Sequence, residues 1–340
     1  MTPFQHGGDI VAFAQRCGCT PEEVIDLSSN INFIKPHLNT DFNSVNIAPY
    51  PNDDRLQNAI ASHYGVAYDG LALFNGASAA IYALFAYLRY HTVNPPSHII
   101  LYDPIYLEYK RAAALYGFEA IHIDRFTALD KEVPDNALVI FVNPATPDGL
   151  TYTMMPLLET WIAKGCHILI DESFLEFTQA PSLIYRFRDY PKLWVLKSMT
   201  KFFSAAGVRV GALLSNATNI SAFTPTLPPW RLSTFDSTYI LEALKDNTFV
   251  HRSTDSNRKA KEVLTALLDT SPLVAYRYEG EANFVLVKLH IAVTKLQEML
   301  LPYRTLIRDC GNFDGLDRYH ARIAVKEVEK FKGLREVLHA

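Results

Sequence analysis

The sequence predicts an α/β protein built on an open, mostly parallel sheet in a large domain, joined to a smaller α+β domain. Three observations carry this. Runs at 137–142, 167–170 and 193–196 are rich in Val, Ile and Leu without polar alternation, as expected of strands covered on both faces. A helix-like segment at 156–165 lies between two of them, with Pro156 near its first turn and Gly165 at its end. Proline's fixed φ and glycine's freedom suit those two positions. After Trp230 the strand–helix alternation gives way to long helical stretches and separated strands, the pattern of an α+β unit.

Taken in order, residues 71–74 form a strand that runs into Asn75-Gly76-Ala77-Ser78, which opens a helix. Residues 98–103 form a strand ending at Asp103-Pro104, followed by a helix at 106–116 and a β-rich segment at 119–124. The three apolar runs and their crossover helix come next. Beyond them, 238–268 reads as one or two helices, then a strand at 282–289, a helix near 294–301 and strands near 305–307 and 321–325. A final helix starts at Val328. The prolines at 225, 228 and 229 mark the boundary. They divide a large domain, 41–230, from a small one made of 1–40 and 231–340.

The 340 residues carry 32 Lys+Arg against 36 Asp+Glu, a net charge of −4, and 49% are hydrophobic. A core of ordinary size is therefore available and disorder is excluded as the main state. The balance gives no global attraction to nucleic acid or an anionic membrane, so an anionic ligand must be held by local Arg, Lys or helix N-termini. No apolar run approaches a membrane span, and the first residues lack a charged-then-apolar leader. The expectation is a soluble, cytoplasmic protein. The four cysteines form neither a disulfide framework nor a CxxC pair, so no metal site is expected.

In open α/β sheets, ligands sit beyond the carboxyl ends of strands. There the chain places Asp171-Glu172-Ser173-Phe174, Lys197-Ser198-Met199-Thr200-Lys201, and Arg209 within Gly207-Val208-Arg209-Val210-Gly211. Singly these have plain readings: a helix cap, a solvated charge, a turn. Together they supply the parts of a pyridoxal phosphate site. Lys201 bonds the cofactor's aldehyde carbon, and Asp171 faces the ring nitrogen to keep it protonated. The backbone N–H groups of Gly76, Ala77 and Ser78 at a helix start receive the phosphate, with Ser198 and the Arg209 fork. Tyr106 supplies an aromatic plate over the ring.

The order Asn-Gly…Asp-Pro-x-Tyr…Asp-Glu-x-Phe…Ser-x-Thr-Lys-(x)7-Arg resembles fold-type I pyridoxal phosphate enzymes of the class I/II aminotransferase group. The resemblance covers nearly the whole chain. It is closest to the branch holding L-threonine O-3-phosphate decarboxylase and histidinol-phosphate aminotransferase. His6-Gly7-Gly8-Asp9, Asp26-Leu27-Ser28-Ser29-Asn30-Ile31-Asn32 and Leu306-Ile307-Arg308-Asp309-Cys310-Gly311-Asn312-Phe313 resemble the decarboxylase side. The resemblance implies pyridoxal 5′-phosphate as cofactor and a homodimer in which Tyr50 reaches the partner's cofactor phosphate. It also implies that Arg322 clamps the substrate α-carboxylate, while Arg308, His6 and Asn30 bind its phosphate or line that pocket.

Three positions depart from the family pattern. Thr146-Pro147-Asp148-Gly149 stands for the usual Asn-Pro-Thr-Gly, Phe174 for a frequent Tyr, and Phe33 for a Pro. Thr146 and Phe174 leave the ring oxygen with fewer donors. The expected activity is decarboxylation of L-threonine O-3-phosphate or L-serine O-phosphate to an aminoalkyl phosphate for cobamide nucleotide-loop synthesis. The alternatives are a histidinol-phosphate or related aminotransferase, and a non-catalytic cofactor-binding module. A nicotinamide oxidoreductase is a weaker reading still, because no G-x-G-x-x-G follows any strand.

Overall fold

The computed structural model describes residues 8–339. Its strands are β1 (Ile25–Asp26), β2 (Leu71–Asn75), β3 (His98–Asp103), β4 (Glu119–Asp124), β5 (Leu138–Val142), β6 (His167–Asp171) and β7 (Leu193–Ser198), then β8 (Val210–Leu214), β9 (Val274–Arg277), β10 (Phe284–Leu289), β11 (Thr305–Leu306), β12 (Arg308–Asp309) and β13 (His320–Ala324). Seven of them form the main sheet in the order β2-β8-β7-β6-β5-β3-β4. All neighbours are parallel except β8, which runs antiparallel to both β2 and β7.

The apolar runs fall in the middle of this sheet for the reason the sequence suggested. Every residue of β5, β6 and β7 is buried. Leu138, Ile140 and Val142 pack with Ile81, Leu84 and Phe85 of the helix Gly76–Tyr90. Val139 and Phe141 pack with Leu158 and Trp161 of the helix Met154–Ala163 on the opposite face. Each such side chain contributes about 1.5–3 kcal/mol of burial, which is why helices on both faces are obligatory. Pro156 lies in the first turn of its helix, where no N–H is needed.

A second sheet, β12-β13-β10-β9, is antiparallel. It packs under the helix Phe249–Asp269 through Leu264, Leu268, Val285, Val287 and Ile323. The stretch expected as one or two helices is two, Thr234–Ala243 and Phe249–Asp269. The strand expected near 305–307 is split at Ile307. β11 pairs with β1 in parallel, whereas β12 turns to pair with β13. The N-terminal segment is thereby tied to the second sheet, and Ala324 N donates to Leu27 O at 2.7 Å.

Sheet register brings distant residues to one place. Ser198 pairs with Gly211, and Asn75 with Val210. The ends of β2 and β7 and the start of β8 therefore meet where the helix Gly76–Tyr90 begins.

Candidate active site

A cavity of about 390 Å³ opens at the carboxyl ends of β6 and β7. Lys201 enters it from the one-turn helix Met199–Phe202 that follows β7. The turn is fastened by Asn32, whose N donates to Lys201 O at 3.0 Å and whose Nδ2 donates to Phe202 O at 2.7 Å. Burial pushes the Lys201 ammonium down to about 8. Arg322 and Arg209 push the same way, and Asp171 opposes them. An amine near neutrality is a competent nucleophile toward a carbonyl carbon.

Asp171 ends β6 and is buried. Its Oδ2 accepts from the Tyr109 hydroxyl at 2.7 Å, and its Oδ1 accepts from Ser173 N at 2.9 Å and from the Ser173 hydroxyl. Burial raises its carboxyl; these bonds and Lys201 hold the rise back. Tyr109 is wholly buried on the helix Leu107–Leu115. Sequence reasoning missed it. The one available signal was its i,i+3 spacing from Tyr106, which puts both rings on one side of a helix start.

Beside Lys201, Ala77, Ser78, Tyr106, Ser198, Thr200 and Arg209 line the cavity. Tyr106 Oη lies 3.3 Å from Ser78 Oγ, and Arg209 Nη1 is 3.5 Å from Thr200 Oγ1. Gly76, at φ +75°, permits this arrangement: a Cβ there would lie 2.5 Å from Arg209 Nη2. Gly211 lets β8 approach equally closely, since its Cβ would lie 2.6 Å from Ala77 N. A buried carboxylate, a lowered amine and a helix N-terminus facing an arginine thus converge on one cavity. That donor set fits a pyridinium ring carrying an aldehyde and a phosphate.

At the other end stand two arginines. Arg308 of β12 and Arg322 of β13 are direct cross-strand partners, and both line the cavity. Buried Arg322 donates to Thr146 Oγ1 at 2.9 Å and Ser28 O at 2.8 Å, with its Nε unpartnered. Its guanidinium lies over the Phe284 ring, which Phe174 abuts edge-on. Burial lowers Arg322 to about 10, and Arg308 adds to the effect. Arg308 donates to Asn312 Oδ1 at 2.9 Å. Neither arginine, nor Arg209, forms an ion pair among the described residues. Thr146 thus spends its oxygen on Arg322, and its loop is fixed by the buried Asp148, 3.6 Å from Arg125.

Asn30 lines the cavity too. Tyr50 does not: it is 75% exposed and stacks on Trp230, ring centroids 4.2 Å apart. His6 lies outside the described residues. The cavity also takes in Lys110, Ser173, Asn312 and Phe313, which sequence reasoning left without a role.

Residues 17–337 match the family described as aminotransferase class I and II. The chain is 28% identical to a threonine-phosphate decarboxylase from Salmonella typhimurium, over 98% of its own length and 95% of that protein's. It is also 28% identical to the adenosylcobalamin biosynthesis bifunctional protein CobDQ of Leptospira interrogans, over 96% of this chain but only 40% of that longer protein. A solved histidinol-phosphate aminotransferase from Clostridium acetobutylicum superposes with a TM-score of 0.77 at 27% identity, covering 92% of this chain and 97% of the other. Another from Sinorhizobium meliloti, in complex with pyridoxal-5′-phosphate, has a TM-score of 0.81 at 17% identity, covering 99% and 96%. The chain belongs to the aminotransferase class I and II family and is a pyridoxal 5′-phosphate-dependent enzyme.

Proposed function

We propose that this enzyme decarboxylates an O-phospho-amino acid, L-threonine O-3-phosphate or L-serine O-phosphate. The product is 1-aminopropan-2-ol phosphate or ethanolamine phosphate, for cobamide nucleotide-loop synthesis. One observation carries the reading: Arg308 and Arg322 face each other across two strands, in one cavity, and neither forms an ion pair among the described residues. Like charges directly opposite are destabilising, so the pair calls for a ligand with two anionic ends. A phospho-amino acid has a carboxylate and a phosphate. The relative from Salmonella typhimurium, named for threonine phosphate, supports the same chemistry.

Bound here, pyridoxal phosphate supplies a carbonyl for the substrate's amine and a ring that accepts the electron pair released at Cα. The protein does the rest. Ala77, Ser78, Ser198, Thr200 and Arg209, with the N-terminus at Gly76, would hold the cofactor phosphate. Tyr106 would supply the aromatic plate for the ring, Thr146 would have only its hydroxyl hydrogen left to offer the ring oxygen, and Asp171 would keep the ring nitrogen protonated. Arg322 grips the α-carboxylate, and Arg308, His6 and Asn30 take the substrate phosphate, so that the Cα–carboxylate bond is the one oriented for cleavage. Lys201, lowered toward neutrality, would take up the proton given up by the substrate's amine, and as the ammonium it, or a water, would deliver the proton that Cα needs once CO₂ has left.

We further propose a cytoplasmic homodimer. Tyr50 and Trp230 present a stacked, exposed aromatic pair suited to a second copy, where Tyr50 would reach that copy's cofactor phosphate. The four free thiols accord with a reducing compartment.

The test is CO₂ release from each phospho-amino acid with pyridoxal phosphate present and no keto acid. Sustained release is expected, and the ratio of rates names the substrate. Conversion of the cofactor to its amine form without CO₂ would make the enzyme an aminotransferase, and histidinol phosphate the next substrate. Binding without either change would rule out both phospho-amino acids as substrates.

A further inference from the structure

The cavity is covered on one side by a segment outside the strands. After Arg308 and Asp309 end β12, residues 310–317 loop back before β13 begins at His320. Asn312 and Phe313 of this loop line the cavity together with Arg308. Across from it, Lys110 of the helix Leu107–Leu115 lines the same cavity. Its Nζ lies 3.1 Å from Asp103 Oδ1 and donates to Asp314 Oδ2 in the loop.

The two legs of this contact differ. Asp103 closes β3, its side chain is 7% exposed, and its Oδ2 is 2.5 Å from His122 Nδ1. Lys110 is 17% exposed, so the large lobe already holds its ammonium in place. Asp314 is 60% exposed and belongs to the small lobe. Asp103, His122 and Asp314 cluster as a metal site would, but the ammonium of Lys110 answers their charge. An ordinary surface pair contributes little because two mobile chains must be ordered. Here one partner is already ordered, and the contact joins a cavity-lining residue of the helix to the loop that carries the cavity-lining Asn312 and Phe313.

We propose that Lys110 is a positioning residue that latches the 310–317 loop to the large lobe and thereby holds Arg308, Asn312 and Phe313 over the substrate. The proposal rests on this cavity being the substrate site, not on which bond is broken there.

The experiment compares Asp314→Asn, Asp314→Glu, Lys110→Met and the Lys110→Met/Asp314→Asn double variant as holoenzymes. Amide hydrogen exchange over 310–317 is followed with and without inorganic phosphate, and KM and kcat are measured separately. Asp314→Asn should leave the melting temperature unchanged, speed exchange of the loop about threefold to tenfold and raise KM by a similar factor with kcat nearly constant. Asp314→Glu should restore both. The double variant should exchange no faster in the loop than Lys110→Met alone. Unchanged loop exchange in Asp314→Asn, or independent additive effects, would overturn the latch. Exchange is read without turnover, so a failed decarboxylase assay leaves this result standing.

Discussion

Tyr109 donates its phenol to Asp171 Oδ2 at 2.7 Å, leaving the carboxylate held at both oxygens, since Ser173 binds Oδ1. A carboxylate fixed in this way cannot rotate, and its remaining acceptor capacity points to a set direction. Hydrogen bonds to charged groups are worth about 1.5–3 kcal/mol. Tyr109→Phe should therefore lower unfolding stability by about 1–3 kcal/mol. It should also raise the Asp171 carboxyl further and weaken cofactor binding about tenfold. Denaturant unfolding and a spectroscopic cofactor titration measure the two effects; unchanged affinity would mean that Tyr109 serves the fold alone.

Lys201 gives a pH prediction. Its ammonium is lowered to about 8, so the neutral amine of the cofactor-free protein accumulates as pH rises through about 8 instead of 10.5. Trapping of an added aldehyde at Lys201 should follow that curve. Arg322→Met removes a repelling charge and should move the midpoint up. Asp171→Asn removes an attracting one and should move it down. Between about 8 and 10.5 the unfolded chain holds a proton that the folded chain has released, so this group's contribution to stability grows with pH in that window.

The arginine pair predicts a response to anions. With the cofactor bound, inorganic phosphate should raise the melting temperature by mass action on the folded state. Arg308→Met should be at least as stable as the wild type in phosphate-free buffer, because one of two facing like charges is gone, and its phosphate response should shrink. A scan of melting temperature against phosphate concentration decides this. An equal response in both proteins would place the anion elsewhere.

The two close-packed glycines should fail differently. In Gly76→Ala the new methyl meets the end of Arg209, a side chain able to swing away. The +75° φ is itself strained for alanine, so the protein should lose about 1–2 kcal/mol of stability and bind cofactor at least tenfold more weakly. In Gly211→Ala the methyl meets the backbone of Gly76 and Ala77, so stability should fall more than in Gly76→Ala. Thermal melts of both apoproteins, with cofactor titrations alongside, separate the cases.

The central strands and the Lys201, Asp171 and Arg209 cluster were legible because buried parallel strands advertise themselves as apolar runs and because their chemistry sits where those runs stop. β8 was not read as a strand. Gly211 near its start weakens the strand pattern, yet the absence of a side chain there is what lets β8 lie against Ala77. Tyr109 and Lys110 were illegible for another reason. Tyr109's partner lies 62 residues away and the loop partner of Lys110 lies 204 away, and nothing local distinguishes a helix tyrosine or lysine that has such a distant partner from one that has none. Arg308 and Arg322 were singled out by resemblance, but their cross-strand pairing depends on the split at Ile307, which a three-residue apolar pattern does not reveal.

The order of strands in the main sheet has a consequence for biosynthesis. β2 is the first of the seven to leave the ribosome, and among the described residues its one strand partner is β8, the last. The proposed phosphate cradle joins the helix that follows β2 to the residue that precedes β8. A nascent chain that has not reached residue 214 therefore has no cradle to offer, however complete its other strands are. Cofactor capture belongs to the end of large-lobe synthesis, and added vitamin should rescue destabilised variants only after that point.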